Sequence, residues 1–143
     1  MRLQLIALLA LFCSGALADC REASGGRMQG LKSPVIWHAR TSCGGSTLVW
    51  LQGYAGTEGR NSLWRIDDLL IVPDPENAHT LSLLAPVEVE CRHAADRESL
   101  AIAAGEWNRG ARGRQPISRA WRMDPKSGKI EEVATKNVTC VIR

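Results

Sequence analysis

The sequence is short of aromatic rings other than indole. It holds one tyrosine, Tyr54, and one phenylalanine, Phe12, against five tryptophans. A packed core must therefore draw its aromatic bulk from tryptophan. Charge bias is also missing. Lysine and arginine total 18 against 15 acidic residues, a formal net charge of +3. Such near-balance argues against a nucleic-acid or membrane-surface binder. Histidine is scarce, and His38, His79 and His93 are far apart. No C-x2-C or H-x3-H pair gives them zinc-ligand spacing, so no metal is expected. A G-x-S-x-G elbow is absent, which removes one common nucleophile. No cofactor-binding motif is present either, so no cofactor is expected. Past the first residues, no run reaches the roughly twenty apolar residues that a bilayer-spanning helix needs. No internal repeat or low-complexity linker divides the chain.

The opening residues are a different matter. Arg2 supplies a positive start, and residues 3–12 are apolar except for Gln4. Ala16-Leu17-Ala18 is a small-x-small cleavage site. Residues 1–18 thus read as a cleavable secretory signal peptide, with Asp19 as the new N-terminus. Phe12 before Cys13 and Asp19 before Cys20 argue against a lipoprotein. The remainder, residues 19–143, is the size of a single domain with a real core. Arginine outnumbers lysine 14 to 4, as codon bias in a GC-rich bacterial genome would produce. The expected location is therefore the periplasm or beyond.

Cys13 departs with the leader. Cys20, Cys43, Cys91 and Cys140 remain. An even number in an oxidising compartment implies two disulfides. Three pairings are possible. We favour Cys20–Cys43 with Cys91–Cys140, each stapling one half of the chain. On the chain-entropy model each closure is worth about 3–4 kcal/mol.

Strand signals recur after residue 33. Residues 21–32 are polar, Gly-rich and without period, and read as an N-terminal loop. Residues 35–39 and 47–52 carry β-branched and aromatic side chains across a turn, a hairpin pattern. Residues 53–61 have loop composition. Strand character resumes over 62–72 and ends in the buried-looking run Leu69-Leu70-Ile71-Val72. Pro73-Asp74-Pro75 stops it. Residues 79–84 form another short candidate. Residues 87–92 alternate cleanly, placing Val87, Val89 and Cys91 toward the core. Residues 98–107 fit a helix stripe or a strand face, and the strand is favoured because residues 117–123 look like its hairpin partner. Residues 108–116 form an Arg/Gly loop. Asp124-Pro125-Lys126-Ser127-Gly128 is a turn between residues 117–123 and 129–133, and residues 138–142 close the chain. Seven or eight short strands predict an all-β fold, a small antiparallel sandwich or barrel with two disulfides.

Few residues suggest chemistry. Ser42-Cys43-Gly44-Gly45-Ser46 looks like a nucleophile loop but is better explained as a turn holding a disulfide. Asp67-Asp68 and Glu131-Glu132 are adjacent acids that a strand sends to opposite faces. Gly53, Gly56 and Gly59 recur every three residues with no helix after them, so they do not form a phosphate cradle. The most distinctive feature is the cluster Arg109, Arg112, Arg114, Arg119 and Arg122, flanked by Trp107 and Trp121. Guanidinium groups bind anions bidentately and stack on indoles. This segment, with Tyr54 in the glycine loop, is the candidate binding region. Its expected partner is another envelope protein or an anionic ligand, with nucleic acid excluded.

The closing stretch, Ala120-Trp121-Arg122-Met123-Asp124 through Val133 with Val138-Thr139-Cys140 after it, resembles the end of small exported bacterial proteins of unknown function. The resemblance spans about a quarter of the chain. It implies an envelope location and no activity. The periplasmic C-type lysozyme inhibitors share size, export and fold class, but their Ser-Gly-x-x-Tyr signature is missing. The expectation is a non-enzymatic exported binding domain, inhibitor- or immunity-like in kind. The alternatives are an envelope hydrolase or isomerase whose His and carboxylate meet only in the fold, and a structural envelope component that self-associates.

Overall fold

The computed structural model describes residues 20–28, 31, 34–41, 43–73, 79–85, 87–107 and 110–143. The expected leader, residues 1–18, and Arg109 lie outside them. Eleven strands form among the described residues: β1 (Arg21–Arg27), β2 (Val35–Thr41), β3 (Ser46–Glu58), β4 (Asn61–Pro73), β5 (His79–Leu81), β6 (Val89–His93), β7 (Leu100–Glu106), β8 (Gly113–Gln115), β9 (Arg119–Asp124), β10 (Lys129–Val133) and β11 (Val138–Ile142). All pair antiparallel. The all-β expectation holds, and residues 98–107 are indeed a strand over most of their length.

The strands make three sheets. Sheet A is the meander β1-β2-β3-β4, sheet B runs β10-β9-β7-β5, and sheet C runs β6-β11-β8. They stack with sheet B in the middle. Period-2 alternation in β7 and β9 explains the order. Ile102, Trp121 and Met123 face sheet A, where Val35, Ala39, Val49 and Leu51 meet them in one core. Ala101, Ala103 and Ala120 project the opposite way, onto Val138, Cys140 and Ile142 of sheet C. Apart from Trp107 just beyond β7, the sheet-B side of the second core is alanine, so the backbones of β7 and β9 can approach sheet C closely. Val87, Val89 and Cys91 pack against this second core, as their alternation predicts.

Both disulfides take the expected pairing. Cys20–Cys43 ties the start of β1 to the β2–β3 turn, and Cys91–Cys140 joins facing residues of β6 and β11. The β9–β10 turn closes at Gly128, whose φ of +68° suits glycine.

Three sequence expectations need correction. Residues 21–27 are strand, not loop: they pair with β2 despite their glycines, because Gly25 and Gly26 sit against Trp37, where a Cβ at Gly26 would come within 2.8 Å of the indole nitrogen. Residues 53–58 are also strand. They extend β3 into an arm with β4, turning at Gly59-Arg60. Bulges between Leu51/Gln52 and between Tyr54/Gly56 bend that arm. Gly53 is buried in it because the Arg65–Asp67 ion pair occupies the space of a side chain. Finally, the Arg/Gly loop holds a short strand, β8, which borders β11.

Asp68 stands beside the first bulge. Its Oδ1 accepts from the Leu69 amide at 2.9 Å, and its Oδ2 accepts from the Ile130 amide at 2.8 Å. One carboxylate thereby joins β4, at the rim of sheet A, to β10, at the rim of sheet B.

Candidate functional site

Among the described residues, the arginines of this segment do not assemble into one basic surface. Arg119 and Arg122 are three residues apart on β9, so the pleat sends them to opposite faces. Arg119 makes a two-pronged contact with Glu132, with both bonds at 3.0 Å, and its guanidinium lies 4.8 Å above the Trp121 ring. The bond from Arg119 holds the Glu132 carboxyl below the usual carboxylate range, and the same bond raises Arg119. Arg122 donates to Glu131 at 2.8 Å and lies 3.6 Å from Asp96. Arg112 and Arg114 are exposed, and Arg112 donates to the Ala111 carbonyl. Trp107 and Trp121 are both core residues, 4% and 2% exposed. The expected basic tip with indoles at its base is therefore divided between two faces. Its arginines on β9 are engaged by the acids of β10.

Tyr54 has a different setting. It lies on β3 with its ring edge-on to Trp64, 5.8 Å between centroids. This pair belongs to the outer face of sheet A, the face turned away from sheet B. On β3 the inward residues Thr47, Val49, Leu51 and Gly53 are buried, and Leu48, Trp50, Gln52 and Tyr54 point out. Register places Leu48 beside Ile71, Trp50 beside Leu69, Gln52 beside Ile66 and Tyr54 beside Trp64. The β4 members of this face are open to solvent: Trp64 is 37%, Ile66 63%, Leu69 48% and Ile71 59% exposed. The run Leu69-Leu70-Ile71-Val72 is thus not buried throughout. Only Leu70 and Val72 pack against the core. Alternation governs it, and the chain covers one side.

The β2 members of this face are Ile36, His38 and Arg40, beside Gln52, Trp50 and Leu48. The His38 ring stacks on Trp50 at 5.0 Å, and His38 Nε2 donates to Gln52 Oε1 at 3.1 Å. Arg40 lies 5.7 Å from the Trp50 ring. The outer face therefore has apolar side chains on β3 and β4, with His38 and Arg40 beside Trp50 on the interior strand β2.

Other features are self-contained. His93 Nδ1 accepts from the Ala95 amide at 3.2 Å in the turn after β6. A hollow of about 240 Å³ lies beside the β9–β10 turn, lined by residues including Tyr54, Arg65, Asp67 and Lys126. Its ionic groups are already paired, Arg65 with Asp67 and Lys126 with Glu98. Among the described residues, no three of His, Cys, Asp and Glu converge as metal ligands would, and no helix is long and apolar enough to cross a membrane.

Set against protein-family models, characterised proteins and solved structures, the chain matches none.

Sequence reasoning missed the outer face of sheet A. A signal was available in the length of the apolar stretches. Leu48-Val49-Trp50-Leu51 and Leu69-Leu70-Ile71-Val72 are unbroken, the pattern of strands covered on both sides.

Proposed function

We propose that this chain is an exported protein of the bacterial envelope that acts by binding another protein, and that it binds through the outer face of sheet A. One observation carries the reading: Trp64, Ile66, Leu69 and Ile71 form a continuous exposed apolar row on β4. Burying one large aliphatic side chain is worth about 1.5–3 kcal/mol. A row of four therefore represents a large store of binding energy. The leader and the two disulfides support the exported setting. The absence of a charge-lined cleft at this face fits recognition by shape and apolar contact.

A photo-crosslinking residue placed at position 66 tests the site against the arginine segment, with position 114 as the comparison. In the envelope of the source cell, position 66 should yield a discrete protein adduct and position 114 should not. Adducts at 114 with none at 66 would return the site to the arginine segment.

A further inference from the structure

The two outsides of the stack differ in kind. Among the described residues, the exposed large apolar side chains all lie on β4 of sheet A. Sheet C forms the other outside. Val138, Cys140 and Ile142 of β11 turn toward sheet B, so the pleat turns Thr139, Val141 and Arg143 away from it. Register sets Arg92 of β6 beside Thr139, and sets Glu90 of β6 and Arg114 of β8 on either side of Val141. Strands far apart in the chain thus bring Arg92, Arg114 and Arg143 to one face. Its one strand carboxylate, Glu90, is shared: Arg92 Nε donates to Oε1 at 2.7 Å, and Arg143 lies 2.7 Å from Oε2. The bond from Arg92, with the charge of Arg143 adding to it, holds the Glu90 carboxyl below the usual carboxylate range. Arg114 is exposed and has no ion-pair partner among the described residues. In the flanking residues, exposed Glu88 is matched by exposed Arg112. A hollow of about 190 Å³ opens here, lined by Glu90, Arg92, Thr139, Val141 and Arg143.

We propose that the outer face of sheet C binds an acidic glycan, a sugar chain bearing carboxylates, one of which takes the place of the Glu90 carboxylate between Arg92 and Arg143 while another reaches Arg114. This site is separate from the outer face of sheet A and does not depend on it. The chemistry of the face selects the ligand class. Arg92 and Arg143 converge on a planar carboxylate, one oxygen each, and guanidinium groups are suited to such an anion. The arginines stand on three adjacent strands, which span about 10 Å at the usual strand spacing. One small anion cannot bridge that width, and a chain with repeated carboxylates can. A protein partner would need aromatic or aliphatic anchors at a buried centre, and a bilayer surface is gripped partly by apolar burial. For either, this face offers only the half-buried Val141. A hydrated polyanion needs no apolar anchor.

Calorimetric titration of the oxidised chain with oligogalacturonate, which carries one carboxylate per sugar, tests the site. Binding is expected at low salt, weakening as salt screens the contacts, with none to neutral dextran. Arg92→Gln, Arg114→Gln and Arg143→Gln should each weaken it about two- to fivefold, the size of an exposed charge contact. Glu90→Gln should strengthen it by a similar factor, because it frees two guanidinium groups; a purely structural role for Glu90 would not do so. Arg60→Gln, at the tip of the β3–β4 arm, should leave it unchanged. Circular dichroism checks the fold of each variant. Should the Glu90, Arg92 or Arg143 variants misfold, Arg114→Gln decides, since it breaks no ion pair among the described residues. No binding by the wild-type chain overturns the proposal, and so does equal weakening by Arg60→Gln and Arg114→Gln. Tighter binding to vesicles of phosphatidylglycerol than to oligogalacturonate overturns the glycan as occupant.

Discussion

Sheets A and B are built from the same kinds of strand, yet they meet water very differently. In sheet B, Ile102 and Trp121 reach one core while Ala101 and Ala120 reach the other, and all four are buried. In sheet A, Val49 and Leu51 are buried while Leu69 and Ile71, one strand away and facing outward, are about half exposed. Alternation along a strand decides which residues share a face. It does not decide whether anything lies on that face. A two-sided apolar strand is thus a statement about its neighbours, and among the described residues sheet A has such a neighbour on one side.

The comparison can be broken most strongly at the shared core. Trp121→Ala should cost about 3–5 kcal/mol by denaturant titration, because a buried indole leaves a cavity that two sheets cannot both close. A loss below about 1 kcal/mol would mean that the A–B core is not packed as described. Opening a disulfide comes next. Replacing both Cys91 and Cys140 with serine should cost about 4 kcal/mol, and the shorter Cys20–Cys43 closure slightly less, on the loop-entropy model. Equal stability of the reduced and oxidised chains would contradict it.

A matched pair of truncations sharpens the contrast between sheets. Ile102→Ala should cost about 2–5 kcal/mol at any protein concentration. Ile71→Ala should stay within about 0.5 kcal/mol, as exposed sites do. Equal costs at the two positions would erase the distinction drawn here. Overfilling the alanine face tests the other side of sheet B: Ala103→Leu should cost about 1–3 kcal/mol, since no space separates it from sheet C.

The smallest effect concerns acid. Asp96 lies in the turn from β6 to β7. Hydrogen bonds from the Ser99 hydroxyl and amide, and from the Glu98 amide, hold its carboxyl below the usual carboxylate range, with Arg122 nearby. A depressed native value stabilises the fold above the unfolded value, near pH 4. The contribution fades as pH falls through the lower native value. Asp96→Asn should therefore flatten the acid limb of a stability–pH curve and leave its upper part parallel to wild type. An unchanged acid limb would show that the turn does not depend on this charge.

Much of the fold was legible in the sequence. The cysteine count and spacing led to both pairings. Alternation in residues 87–92 gave the inward side of β6, and Asp124-Pro125 with Gly128 marked the β9–β10 turn. What escaped has a common cause. Glycine lowers strand signal wherever it occurs, yet Gly26 and Gly53 stand in strands where neighbouring side chains take the space of a Cβ. Those neighbours are set by register, which a single sequence does not display. The arginine segment shows the same dependence on register: strand pleat sends Arg119 and Arg122 to opposite faces of β9, where acids of β10 pair with both. Leu48, Trp50, Ile66, Leu69 and Ile71 were visible as apolar, and only the sheet order reveals that they share one face.

Asp68 has a consequence for how such a molecule survives in company. A rim strand with open amides invites strands from other molecules, and that is how β-rich proteins polymerise in error. By occupying the Ile130 amide with a carboxylate from the facing rim, Asp68 closes that doorway with a charged group no incoming strand can readily displace. The β10 edge of sheet B is thus guarded at that amide against runaway growth.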